Sequence, residues 1–347
     1  MRSLGNESHD QTWISRQGTV VSELFAELSR GPVLNRPQGR GDSRSSASRA
    51  IVRGRRRCRE REPGYDSARP SEAGCGIVGA LALLIHACVM AHPEVSVITP
   101  MYNARRWLPA LFETTRAQSF TNFEHLLVDD VSSDGSAEDA ELLAGGDPRV
   151  TVLRMTRNGG PAAARNMAID AAKGRFLAFL DADDIWLANK LETQLSWTRL
   201  QGYAFTYHDY RHMSHDGARV GPVVSGPDVL TLETLHTRRG TGGCLAVMVD
   251  REQLPAFRFP DLQRSLPEDF LAWLSIIKAG HLGHRLPEDL GCYRLTPASR
   301  SSNKLAAAMA VWNLYRHVER LPLVTAVSWW TQYAWNARRL YKRAAPL

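Results

Sequence analysis

The feature that most constrains this chain is an alternation that begins at Val95. VSVIT (95–99), FEHLLV (123–128), VTVLRM (150–155) and RFLAFL (175–180) are apolar, partly β-branched runs that read as buried strands. Helix-compatible stretches lie between them. One covers about 104–118 behind Asn103 as a cap. SAEDAELLAG (136–145) ends at a glycine, and PAAARNMAIDAAK (161–173) begins with proline, where a missing N–H costs least. Such spacing means βαβ units with right-handed crossovers. We therefore expect an α/β fold: a mostly parallel sheet flanked by helices.

The second half is less regular. YAFTYHDYRHM (203–213) and GCLAVMV (243–249) read as strands, separated by a turn at His215–Gly217 and a helix near 228–239. PEDFLAWLSIIKAG (267–280) is an amphipathic helix closed by Gly280, and LGCYRL (290–295) is a last strand. Helices over about 303–320 and 323–342 follow, so the chain divides into 1–91, a catalytic-type domain over 92–300 and C-terminal helices over 301–347.

Residues 1–91 read differently. Positions 1–72 hold 14 arginines, no lysine and 9 acids, which is +5 of the net charge of +7. Rich in Arg, Ser, Gly and Pro, they bury too little apolar surface to offset the entropy of ordering. The body is thus close to neutral, and no nucleic-acid partner is expected. Residues 73–91 (AGCGIVGALALLIHACVMA) are apolar and just long enough for a membrane anchor. Met90 stands directly before the first convincing strand, and we expect natural translation to start there. Gly74, Gly76 and Gly79 fit G-x-G-x-x-G, but no strand precedes them, so they are not a dinucleotide fingerprint. Five scattered cysteines without a C-x-x-C pair suit a reducing, cytoplasmic setting.

Ligands of an open α/β sheet bind beyond the carboxyl ends of its strands. Those ends carry Thr99-Pro100-Met101-Tyr102-Asn103, Asp129-Asp130 with Ser132, Ser133 and Asp134, Arg157-Asn158-Gly159-Gly160, and Asp181-Ala182-Asp183-Asp184. Carboxylates at this density repel unless a cation or donor groups compensate them. Asp-x-Asp in an extended stretch sends two carboxylates to one side, a hard oxygen pair that suits Mg2+ or Mn2+ with room for phosphate. Tyr102 offers a flat face for a base, and Asp129 or Asp130 can accept from a base N–H or ribose hydroxyls. Each residue also has a plainer role: turn or cap for any one Asp, Asp184 included. Asp269 suits a general base, yet acids also favour helix N-termini. Arg165 and Arg294 suit either phosphate contacts or the surface.

These stretches resemble the inverting glycosyltransferases of family 2, with the GT-A fold. VSVITPMYNA, LLVDDVSSDGS, RNGGPAAARN, GRFLAFLDADDIW and PEDFLAWL carry the likeness. The C-terminal part, from TGGCLAVMVD through CYRLTPASRSSNKLAAAMAVWNLYR, looks like the branch of teichuronic acid and surface-polysaccharide transferases. The resemblance covers about 92–340. It implies that Pro100 and Tyr102 hold the base, that Asp129 and Asp130 bind base and ribose, and that Asp181 and Asp183 form the Asp-x-Asp motif. Asp183 would be the metal ligand and Asp269 the catalytic base, with Arg165 near the donor. The family's usual glycine after the paired aspartates is Val131 here, which suggests a reshaped loop.

The implied reaction moves a sugar from a nucleotide-sugar donor to a saccharide or lipid-linked saccharide acceptor. A sugar-phosphate nucleotidyltransferase and a catalytically silent nucleotide-binding protein are the competing readings; the first needs a Gly-rich loop that PMYNAR does not supply. Trp312, Trp329, Trp330 and Trp335 beside Arg316, Arg320, Arg338 and Arg339 suit either helix packing or peripheral contact with the inner face of the cell membrane.

Overall fold

The computed structural model describes residues 92–237, 243–260, 268–296 and 304–344. The expectations for residues 1–91, including the apolar run 73–91, and for Pro267 lie outside these residues. The sheet runs β3-β2-β1-β4-β9-β6-β10-β5, where β1 is Val95–Met101, β2 Phe123–Asp129, β3 Val150–Arg154, β4 Phe176–Phe179 and β5 Ile185–Trp186. The strands β6, β9 and β10 are Phe205–Met213, Val247–Asp250 and Gly283–Arg294. β7 (Val220–Val224) pairs with β6, and β8 (Val229–Leu230) pairs with β10.

The first four strands are parallel, with Val95 opposite both Phe123 and Phe176. β9 then joins antiparallel to β4 and β6, and β10 runs parallel to β6. The sheet is therefore mixed, and its parallel part is the four-strand block that the alternation implied.

Side-chain period two sorts β1 onto two cores. Val95 and Val97 pack with Trp107, Leu108 and Phe112 at and within α1 (Leu108–Arg116). Ile98 packs on the other face with Ala164, Ala168 and Ile169 of α3 (Pro161–Ala171). Both faces being covered explains why the strand is buried along nearly its whole length rather than alternating between core and solvent. α2 (Ser136–Ala144) ends at Gly145, whose left-handed φ of 58° fits the expected stop. α4 (Lys190–Gln201) follows β5.

Several expectations are corrected. Asn103 does not cap a helix: its φ is 51° and its Oδ1 accepts from Ser133 N at 2.9 Å. A 3-10 turn, Arg105–Trp107, comes next, and α1 starts only at Leu108. The helix placed near 228–239 is α5, only Leu232–His236, where Thr231 forms a reciprocal cap with Thr234. The residues before it make β7 and β8 instead. GCLAVMV opens with a 3-10 turn at Cys244–Ala246 before β9. The last strand starts at Gly283, not Leu290, and its register against β6 shifts on either side of Asp289. Pro287, which has no N–H to give a ladder, lies in that irregular stretch.

α6 (Glu268–Lys278) buries Leu271, Ala272, Trp273, Ile276 and Ile277. α7 (Lys304–Asn313) continues through a π turn at Leu314–Val318, and α8 is Leu323–Ala344. Leu314, Tyr315, Ala326 and Tyr333 share one core with Trp273, so the C-terminal helices complete the domain rather than standing apart. No helix among the described residues is long and apolar enough to cross a membrane.

Candidate functional site

Every site residue anticipated from the sequence except Arg165, Asp269 and Arg294 lies on β1, β2 or the loops at the carboxyl ends of the parallel strands. Pro100 is half-buried near the end of β1, and Tyr102 just after it is 59% exposed. A phenol ring left in water next to the buried Met101 is available to stack on a planar ligand.

The two aspartates after β2 differ in what they hold. Asp130 receives Gly159 N–H and Gly160 N–H, each at 2.7 Å, one on each carboxylate oxygen. Its backbone oxygen accepts from Asn158 Nδ2 at 2.9 Å. Gly160 has a φ of 83°, and a Cβ on Gly159 would lie 2.8 Å from that of Ala163, so both glycines are needed to bring this turn onto Asp130. Asp129 is buried too, but only its Oδ2 is used, accepting from Ser132 N at 3.1 Å. Its Oδ1 is buried without a hydrogen-bond partner. A carboxylate oxygen in that position is an acceptor in want of a donor.

Val131 has a φ of 62°, the left-handed conformation that the family's glycine would take freely. A β-branched residue is strained in that conformation, so the loop carries a local cost at Val131.

Arg165 organises the acids. It rises from α3, is almost fully buried, and donates to Asp181 Oδ1 at 2.5 Å and Glu268 Oε1 at 3.3 Å. Burial opposes its charge, but Asp181 and Glu268 outweigh that and raise its pKa above the ordinary value. One guanidinium thus ties the first acid of Asp-x-Asp to the first turn of α6, where Asp269 follows Glu268 directly. Burial pushes up the pKa of the Cys244 thiol, with the charges of Asp181, Asp269 and Glu268 adding to it. That thiol accordingly feels the Asp-x-Asp loop and Asp269 together. Sequence reasoning gave Glu268 no role, although its place between proline and the candidate base was visible.

Asp183 is differently placed. Burial, then the neighbouring charge of Asp181, pushes its carboxyl up to about 6; Arg294 and Arg106 offset this only in part. Arg294, proposed as a phosphate contact or surface residue, is neither exposed nor spare. Its Nε donates to Asp183 O at 2.7 Å and its Nη1 to His215 O at 2.9 Å, while its guanidinium lies 4.5 Å over the Trp107 ring. Its backbone N–H donates to Asp184 Oδ1 at 2.8 Å. Asp184 is not a helix cap, since α4 starts after Asn189; it pins β10 to the acidic loop. Arg106, Trp107 and His215, which the sequence did not single out, form the rest of this brace: Arg106 sits 4.1 Å over Trp107, and His215 meets the same ring edge-on at 5.1 Å.

Residues 96–221 match the family model described as glycosyl transferase family 2. A putative teichuronic acid biosynthesis glycosyltransferase of Bacillus subtilis, TuaG, is 38% identical over 71% of this chain and 96% of its own length.

The chain belongs to glycosyl transferase family 2.

This glycosyltransferase is also 36% identical to the Escherichia coli glucosyltransferase WfgD, over 66% of the chain and 88% of the relative. The fold likeness extends to Staphylococcus aureus TarS in complex with UDP-GlcNAc, with a TM-score of 0.54 at 18% identity over 72% and 73% of the two chains. It extends also to the mannosyltransferase PcManGT of Pyrobaculum calidifontis, with a TM-score of 0.52 at 16% identity over 79% and 86%. Asp269 lies outside the matched span 96–221, so its place in the site rests on α6 and Arg165. Family membership sets aside the nucleotidyltransferase and the silent-protein readings.

Proposed function

We propose that this glycosyltransferase moves a sugar from a nucleotide-sugar donor to a hydroxyl of a saccharide or lipid-linked saccharide, with inversion at the anomeric carbon, in cell-surface polysaccharide biosynthesis. The names of TuaG and WfgD, which speak of teichuronic acid and a diphosphoundecaprenol-linked acceptor, support this substrate class. The observation that carries the reading is the Arg165 bridge, which joins the donor-side acid Asp181 to the helix of the candidate base.

A divalent cation, Mn2+ or Mg2+, fits the acids of the Asp-x-Asp loop. PcManGT is described with GDP-Man and Mn2+. Among the described residues no group of three or more His, Cys, Asp or Glu forms a cage of its own. The remaining ligands would therefore come from water and the donor's phosphates, as is usual for cations that act on diphosphates. Asp183 would be the direct ligand, with Asp181 beside it. A cation bound there supplies positive charge opposite the diphosphate leaving group.

The chain's own groups do the rest. Tyr102 stacks on the base beside Pro100. Asp129 Oδ1 accepts from a base N–H or a ribose hydroxyl, and Asp130 holds the Gly159–Gly160 turn that bounds the same space. Asp269 takes the proton of the acceptor hydroxyl as that oxygen bonds to the anomeric carbon and the bond to the nucleoside diphosphate breaks. The duties separate because Asp181 and Glu268 are committed to Arg165.

The test is transfer and donor hydrolysis across a panel of nucleotide sugars. Asp269→Asn should lower transfer by about 10²–10⁴-fold with the thermal midpoint kept, the range expected for a general base. Asp183→Ala should abolish the response to added Mn2+. Near-normal turnover of Asp269→Asn would discard it as the base, and undiminished activity in chelator would discard the cation.

A further inference from the structure

α8 has two faces of different character. One is held by the domain. Ala326 and Tyr333 are buried, Trp330 Nε1 donates to Ala308 O at 3.0 Å, and Asn336 Nδ2 donates to Thr237 O at 3.0 Å. Trp329 packs 4.7 Å from His236. Three of the four C-terminal tryptophans, Trp312, Trp329 and Trp330, are thus partly buried packing residues.

The outward face carries other residues. Val324 is 83% exposed, Val327 45% and Trp335 63%. With Thr331 between them and Arg338 after them, both exposed, they follow one another at helical spacings of three and four, a single stripe along α8. Leu323 and, just upstream, Val318 are exposed as well. Apolar side chains in such a row on a surface otherwise rich in polar groups mark a contact face.

Charge identifies what the face meets. α8 contains Arg338, Arg339, Lys342 and Arg343 and no acid; Arg316 and Arg320 precede it. Glu319, the one acid among residues 316–344, is paired with Lys278 at 2.6 Å and has a buried side chain. A helix with two exposed valines and an exposed tryptophan along one stripe, and with four basic residues and no acid in its sequence, is built to lie in the plane of an anionic bilayer surface.

We infer that the outward face of α8 docks on an anionic lipid bilayer, with Val324, Val327 and Trp335 at the interfacial level and the basic residues against the headgroups. The inference is independent of the donor, acceptor and base, because vesicle binding is read without turnover.

The experiment uses the full chain with Cys58, Cys75 and Cys88 changed to serine. Val327→Cys carries an environment-sensitive dye, and Leu200→Cys on α4, also exposed, is the reference. Vesicles are phosphatidylcholine with or without phosphatidylglycerol. The dye at 327 should shift to the blue with phosphatidylglycerol vesicles, and the dye at 200 should not. The unlabelled double variant Val324→Glu with Val327→Glu should lose at least about tenfold in vesicle partitioning, given that interfacial binding scales with buried apolar area, with donor hydrolysis unchanged. Equal dye responses at 327 and 200, or undiminished partitioning of the double variant, would overturn the inference. So would a blue shift without vesicles. If that shift grew with protein concentration, the face would be a contact between copies; if it vanished on deletion of 73–91, that segment would be the cover.

Discussion

Replacing Arg165 by methionine tests the arrangement most directly. The substitution keeps the length and the apolar stem but removes the fork that reaches Asp181 at 2.5 Å and Glu268 at 3.3 Å. Removing one partner of a buried ion pair costs about 3–5 kcal/mol, because the other charge is left buried and unpaired. Here the Asp181 side chain keeps 28% of its exposure and that of Glu268 13%, so water relieves part of the penalty. The lower end, about 3 kcal/mol, is the expected loss from the ion pairs. For a domain of this size that corresponds to a fall of about 6–12 °C in thermal midpoint. Urea unfolding gives the stability change, and transfer assays on the folded fraction give the catalytic one. Arg165→Lys separates the two effects. A single ammonium keeps the charge but cannot bridge both carboxylates, so it should recover most of the stability and little of the turnover. Removing Glu268 as well should give a non-additive cycle with Arg165→Met. A midpoint unchanged in Arg165→Met, or Lys restoring full turnover, would refute the claim that the bridge positions α6 against the acidic loop.

Two further outcomes concern groups away from the reacting atoms. Burial, then the charge of Lys190, lowers the pKa of His208 to about 3, so below pH 6.5 the unfolded chain takes a proton that the folded chain refuses. Its stability contribution, full above pH 6.5, is lost as pH falls towards 3; His208→Gln should make the acid limb of unfolding free energy against pH shallower by about 1.4 kcal/mol per unit. Asp184, whose pKa burial and the charges of Asp183 and Asp181 hold well above the usual carboxylate range, acts as an acceptor for Arg294 N–H. Asp184→Asn should therefore fold and turn over nearly normally, while Asp184→Ala should cost about 1–3 kcal/mol in denaturant unfolding by orphaning that N–H.

What the sequence made legible follows the range of the interactions involved. β1 and β2 were readable because their burial is nearly complete, and α3 and α6 because their patterns are local. β7 and β8 were not, since they exist only as partners of β6 and β10, and VGPVV followed by GPDVL has no period of its own. The acidic rim was legible from the strand ends, but not the allocation of its oxygens. Nothing in Asp129-Asp130 says that one carboxylate serves the Gly159–Gly160 turn while the other keeps a buried oxygen unmatched. Arg294 resembled a phosphate contact because its acceptor, the Asp183 carbonyl, lies 111 residues away in sequence. At Val131 the sequence showed an unusual residue but not its strained backbone, which is held between Asp130 N–H bonded to Met101 O at 2.8 Å and Ser132 N–H bonded to Asp129.

The same allocation supports the proposed place of the cation at Asp183. Asp181 and Glu268 are matched by Arg165, and Asp184 is stabilised by a backbone N–H. Arg294 spends its guanidinium on two carbonyl oxygens, and Arg106 lies against Trp107. Among the described residues no salt bridge reaches Asp183, and burial, then the charge of Asp181, pushes its carboxyl up to about 6. Two nearby cations thus hold the loop without neutralising it. A chain that had only to fold would gain by turning either guanidinium onto Asp183. Keeping that carboxylate short of compensation costs stability unless a bound cation and a diphosphate complete the charge balance.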